Sequence, residues 1–425
     1  MAYRMSVRLG AGLAALAALA APQPARAATG PVGGACAFPA ERQFEGRPWS
    51  LQRVLLDELW HDTRGKGVRV AVIDTGVDDT HPQLITAVDA SAGADTLGRG
   101  GDGTADTVGH GTEVAGIIAA RPRAGTGFVG LAPEATVVPV RQNDAHDNGT
   151  DASMAAAILH AVAQHVQVIN ISQETVRPQT AGSVLGRAVA EAVGRGIVVV
   201  ASAGNNGADG TRTPTYPAAF DGVLAVAASD RNNERAPFSR PGHFVDVAAP
   251  GVDIVSTVPG HGHCARSGTS FSAPYVSGVA ALLRAKYPRW TAAQVVARIE
   301  QTAERSVNGR DDFVGWGVVD PVRALSGDDA PQDAPHPDAP PAGAEEPDPA
   351  PLSTGETPQR RDRRYAVCAM ALAALLTGAV AGAAAVARDL SRRRATRARR
   401  PCPPRPADPG RGRRTGGDGR AHWLA

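Results

Sequence analysis

The chain has 425 residues, a formal net charge of +2, 43% hydrophobic residues and only 4% aromatic ones. Its length leaves room for more than one domain. So few aromatics, with no basic stripe in the middle of the chain, argue against a base-stacking surface, and no nucleic-acid partner is expected.

At the N-terminus, Arg4 and Arg8 precede an apolar run from Leu9 to Ala21, short for a bilayer span. Ala25-Arg26-Ala27 fits a small-x-small cleavage site. Residues 1–27 therefore read as a signal peptide, with an uncleaved anchor as the alternative. Residues 28–45 form a short extension that carries Cys36.

Residues 46–326 read as the folded unit. Val68 to Ile73, Ala135 to Val140, Val166 to Ile171, Ile197 to Ala201 and Val223 to Ala227 are β-branched runs, apolar on consecutive positions. Strands of that kind are buried on both faces. Between them, Ser153 to His165 and Val184 to Val193 are Ala-rich with helical spacing. The alternation predicts an α/β fold, a mostly parallel sheet flanked by helices, with its active site at the carboxyl ends of strands.

Four polar motifs fall at such places. Asp74 ends the first strand, where a carboxylate can orient an imidazole; alone it is equally a turn aspartate. His110, in Gly109-His110-Gly111-Thr112, heads the helical run Glu113 to Ala120 and suits a general base or a plain cap. Asn205, in Ser202-Ala203-Gly204-Asn205, follows a strand and can donate to an oxyanion or simply make a turn. Ser270, in Gly268-Thr269-Ser270-Phe271-Ser272-Ala273-Pro274, precedes the helical run Tyr275 to Ala285, with Pro274 expected in the first turn. It is a nucleophile or an N-cap serine.

From residue 327 to residue 365 the chain turns to Pro, Ala, Asp and Glu, the composition of an extended, disordered stalk. Ala366 to Ala387 is uncharged and long enough to cross ~30 Å of hydrocarbon as one transmembrane helix. The arginine-rich residues 388–425 should stay cytoplasmic, which places the folded unit outside the cytoplasm. Cys368 falls in the span and Cys402 in the tail, so only Cys36 and Cys264 meet an oxidising compartment. They form a disulfide or remain two thiols.

The chain order Asp, His, Ser is the order of the subtilisin triad. The Asp-Thr-Gly, His-Gly-Thr and Gly-Thr-Ser-x-Ser-x-Pro motifs together resemble the subtilase family of serine peptidases over about Gly65 to Leu325. The resemblance implies a subtilisin-like fold and an endopeptidase in which Asp74 orients His110, His110 takes the proton of Ser270, and Asn205 holds the oxyanion. It also implies that Ser172, Gln173 and Glu174 bind an extended substrate, and that Ala203 and Gly204 wall the pocket before the scissile bond. Glu174 either favours basic substrates or faces solvent.

Two departures narrow the reading. The segment ahead of the fold is short for a folded inhibitory propeptide. Gln83 and the segment Arg121 to Gly127 stand where many subtilisins bind calcium, so no metal site of that type and no cofactor are expected. Cys36, Pro48-Trp49-Ser50-Leu51, the stalk and the single span resemble mycosins, the subtilases of type VII secretion. That likeness implies protein or peptide substrates, membrane components of a type VII system as partners, and a role that is proteolytic or that of a scaffold for a membrane complex.

Overall fold

A computed structural model describes residues 36–40, 42–146, 148–327, 330–338 and 358–397. The expected signal peptide and Cys402 lie outside them. In chain order the elements are α1 (Trp49–Gln52), α2 (Leu56–Leu59), β1 (Arg69–Asp74), β2 (Ala94–Asp95), α3 (His110–Ala119), β3 (Thr136–Arg141), α4 (Asp151–Ala163) and β4 (Val168–Ile171). There follow α5 (Val184–Gly194), β5 (Val198–Ser202), β6 (Val223–Ser229), β7 (Val247–Pro250), β8 (Ile254–Thr257), β9 (His263–Arg266), α6 (Thr269–Lys286), α7 (Ala292–Thr302), α8 (Pro321–Leu325) and α9 (Pro358–Arg397).

Seven strands form one parallel sheet in the order β2-β3-β1-β4-β5-β6-β7. Each expected strand is present, displaced by a residue or two at its ends. Alternate side chains feed two cores. Val70, Val72, Val168, Val198 and Val200 join the core built with α3 and α6. Ala71, Ile73, Ile169, Ile171 and Val199 join the core built with α4 and α5. Burial on both faces is why these strands read as continuous apolar runs. The strand order reverses beside β1, so the carboxyl end of that strand, with Asp74, opens onto a switch-point crevice.

The largest difference from expectation concerns α6. It begins at Thr269, so Ser270 is its second residue and Pro274 lies in the second turn. Every residue from Thr269 to Leu283 is buried, and the helix packs across β4 to β7 and against α3. Burial all round explains why no apolar stripe marked its start.

The expected stalk begins later than its composition suggests. Asp333 accepts from Gln294 Nε2 at 3.0 Å, the His336 N–H donates to Gln301 at 2.6 Å, and Asp338 pairs with Arg305 at 2.9 Å. These bonds lay residues 330–338 along α7, because polar side chains can anchor a segment that has no core of its own.

Taken by itself, α9 is one helix of 40 residues. Its stretch Pro358–Arg394 is long and apolar enough to cross a membrane. The helix starts before the apolar segment and outlasts it, since arginine is a good helix former.

Leu282, fully buried on α6, sets the expected cost of a core deletion. Leu282→Ala should lower the unfolding free energy by about 2–5 kcal/mol, read from denaturant melts of the full-length protein. A loss under about 1 kcal/mol would show the helix to be loosely packed.

Candidate active site

Pro274 has no N–H, so the carbonyl of Ser270, four residues earlier, loses its helical partner. Ser172 supplies one: its Oγ–H donates to the Ser270 carbonyl at 2.9 Å. Asn170 Nδ2 donates to Ser172 Oγ at 2.9 Å, and Ser277 Oγ donates to Asn170 Oδ1 at 2.9 Å. This buried relay ties the first and third turns of α6 to the end of β4. Ser172 thus acts through its hydroxyl on the helix.

His110 is the first residue of α3 and half buried. Its Nδ1 lies 2.7 Å from Asp74 Oδ1, and the same oxygen accepts the Thr75 N–H at 2.8 Å. Two glycines make the approach. Gly109 takes φ of +85°, in the left-handed region that favours glycine. A Cβ on Gly111 would sit 1.9 Å from the Gly76 carbonyl. Asp106 caps the helix: its carboxylate accepts from the N–H groups of Gly109 at 2.8 Å and Thr112 at 2.9 Å. Burial pulls the imidazole pKa down, but the charge and hydrogen bond of Asp74, aided by Glu113 and Asp106, outweigh it and carry it up to about 9.

Asn205 follows β5, and its orientation is fixed by a donor of known kind. The Thr269 N–H can only donate, and it reaches Asn205 Oδ1 at 2.8 Å. The amide Nδ2 is therefore the end left for the cleft. The Ser270 N–H, in the first turn of α6, likewise has no intrahelical acceptor.

These groups converge. His110, Asn205, Ser270, Ser172, Gln173 and Glu174 line one cleft of about 500 Å³. Asp74 lies buried behind His110. No hydrogen bond joins Ser270 to His110, a contact that often tightens only when substrate binds. The Ala203 side chain is fully buried in the core. Gly204 borders Glu174: a Cβ there would lie 3.4 Å from Glu174 Oε1 and 3.5 Å from Arg240 Nε. Glu174 is half-buried at the cleft. Burial raises its pKa, against the pull of Arg240 and His110.

Cys36 and Cys264 are joined as a disulfide, with Cα atoms 6.1 Å apart. It fastens the N-terminal extension to β9, and the Ala40 N–H adds a bond to the His261 carbonyl at 2.9 Å. Gln83 is spent on protein partners. Its Nε2 donates to the carbonyls of Arg121 at 2.9 Å and Phe128 at 3.0 Å, while Oε1 lies 2.7 Å from His263 Nε2.

Sequence reasoning passed over Asp106, Asn170, Ser277, Glu113 and Arg266. Asp106 and Glu113 flank His110 closely enough to have been suspected. Asn170 and Ser277 lie 107 positions apart, and only the fold pairs them.

Known proteins share this arrangement. Residues 65–317 match the family described as Subtilase family. Mycosin-4 of Mycobacterium tuberculosis (strain ATCC 25618 / H37Rv) is 39% identical over 390 residues, 80% of this chain and 83% of that relative. The crystal structure of MycP1 from Mycobacterium smegmatis superposes with a TM-score of 0.62 at 32% identity, over 75% of this chain and 91% of that one. A chain from the periplasmic assembly of the ESX-5 inner membrane complex does so with a TM-score of 0.62 at 34% identity, over 75% and 91%.

The relay makes Asn170 a sensitive position. Asn170→Ala strands the hydroxyls of Ser172 and Ser277 and should cost about 2–3 kcal/mol of stability. An unfolding midpoint equal to that of the unsubstituted protein would rule the relay out as a structural support.

Proposed function

The chain belongs to the subtilase family, a serine endopeptidase of the mycosin type with an apolar C-terminal helix as membrane anchor, and we propose that Asp74, His110 and Ser270 form its catalytic triad. The observation that carries this reading is the 2.7 Å contact of Asp74 with His110 Nδ1, in a cleft shared with Ser270 and Asn205.

With Nδ1 held by Asp74, Nε2 is the nitrogen that takes the proton of Ser270 as its Oγ attacks the peptide carbonyl. The imidazolium so formed is stabilised by the Asp74 carboxylate. The carbonyl oxygen becomes an oxyanion, which Asn205 Nδ2 and the Ser270 N–H are placed to receive. Collapse of the tetrahedral species breaks the C–N bond, and His110 returns its proton to the leaving amine. Water, activated by the same imidazole, then hydrolyses the acyl-enzyme. Residues 46–326 serve as the peptidase domain.

We place that domain on the extracytoplasmic side, because arginines crowd the helix after residue 387. Its substrates are secreted proteins or components of a type VII secretion system. The similarity to a chain of the ESX-5 periplasmic assembly supports membrane components of such a system as partners. It also favours a second reading, in which the protein braces a membrane complex and proteolysis is secondary.

One experiment tests the chemistry and the side together. A membrane-impermeant fluorophosphonate should label intact cells expressing the protein, and Ser270→Ala should abolish the label. Asn205→Ala should keep Ser270 labelled, with peptide turnover down on the order of 100- to 1,000-fold. Absence of labelling in both intact and lysed cells would exclude the triad. Secretion that survives Ser270→Ala but fails on deletion would favour the bracing role.

The raised pKa of His110 sets the pH profile. The base must be neutral to accept a proton, so kcat/KM should rise with pH, with an acid-limb midpoint above the ordinary 6.5. A midpoint at or below 6.5 would show that Asp74 does not hold the imidazole as described.

A further inference from the structure

Arg266, the last residue of β9, lines the catalytic cleft four residues before Ser270. About a third of its side chain, 36%, is exposed, and its Nε lies 2.9 Å from Glu113 Oε1. Glu113 is buried in the first turn of α3, three residues beyond His110. One of its oxygens and the sulphurs of Cys36 and Cys264 lie within 4.8 Å of one another, so the disulfide sits beside the carboxylate. The guanidinium is thus ion-paired with a buried carboxylate, and the contact is one of charge and proximity, since neither Nε nor the Glu113 oxygens make a hydrogen bond. Among the described residues no acceptor bonds its two Nη groups, which remain available at the cleft.

Its location within the cleft follows from the chemistry. His110 hands its proton to the leaving amine, so the departing half of the substrate lies on the α3 side. The acyl half lies against Gln173, Glu174 and Gly204. Arg266 is bound to α3 and therefore stands beside the departing half. The other arginine among the described lining residues, Arg177, is on the Glu174 side and is paired with Asp151 at 3.5 Å. A guanidinium with two free Nη groups matches a carboxylate by parallel N–H···O bonds.

We infer that Arg266, anchored by Glu113, selects peptides with an aspartate or glutamate immediately after the scissile bond. This rests on the protease reading above. It adds a substrate-binding residue on the leaving-group side and a chemical class for the residue bound there.

The test uses purified full-length protein and fluorogenic peptides that differ only at that residue: Asp, Glu, Ala or Lys. Active enzyme is counted beforehand by fluorophosphonate labelling of Ser270. The Asp-to-Lys ratio of kcat/KM should be about 10 or more at low salt, and should fall as salt screens the contact. Arg266→Gln should bring the ratio near unity, and Arg266→Glu should invert it. Should Arg266→Gln misfold because Glu113 is left buried and unpaired, Glu113→Gln/Arg266→Gln removes both charges and should also bring the ratio near unity. Labelled enzyme whose Asp-to-Lys ratio lies within twofold of unity, or is unchanged by these substitutions, would overturn the inference and leave the protease reading standing. Enzyme that never labels would overturn both.

Discussion

The architecture turns on one missing hydrogen-bond donor. Pro274 stands in the second turn of a helix buried from Thr269 to Leu283, and it deprives the Ser270 carbonyl of a partner where water cannot substitute. A buried orphan carbonyl is costly. The fold answers with Ser172, which in turn requires Asn170 and Ser277. Because the strand residues that supply the bond lie at the end of β4, the proline in effect fixes where the helix start sits above the sheet. Ser270 is held by its own backbone, leaving its hydroxyl uncommitted.

The same logic governs the other side of the cleft. His110 begins a helix whose terminal N–H groups are met by Asp106, and its ring is aimed by Asp74 on the neighbouring strand. Neither α3 nor α6 could slide without breaking bonds to buried carboxylates or amides. α3 and α6 also pack directly on each other, so the two halves of the site share a single core. Rigid support of this kind is what keeps reacting groups within the narrow tolerances of acyl transfer.

Much of this was legible in the sequence. The strands announced themselves as unbroken β-branched runs, and Asp74, His110, Asn205 and Ser270 stood out because each sat at the end of a strand or the head of a helix. What stayed hidden has physical reasons. The true start of α6 was masked because a helix buried all round has no amphipathic stripe. The hydroxyl bond of Ser172 to the Ser270 carbonyl, 98 positions away, is invisible to local pattern. Glu174 read as either a substrate contact or a solvent-facing carboxylate, and only the fold shows it half-buried beside Gly204. The segment 330–338 has a disordered composition yet is laid along α7 by side chains that composition cannot rank.

The link between Cys36 and Cys264 closes a covalent ring across 228 positions, and that ring contains the segments bearing Asp74, His110 and Asn205. A protease is exposed to its own kind, and surface loops are where chains are nicked. A single cut within the ring, for instance between residues 143 and 149, would leave two pieces that cannot diffuse apart. Asp74 and His110 would then lie on one fragment, yet remain spliced through sulphur to the segment carrying Ser270. On a reducing gel such a molecule would run as two bands, while under native conditions it would remain one.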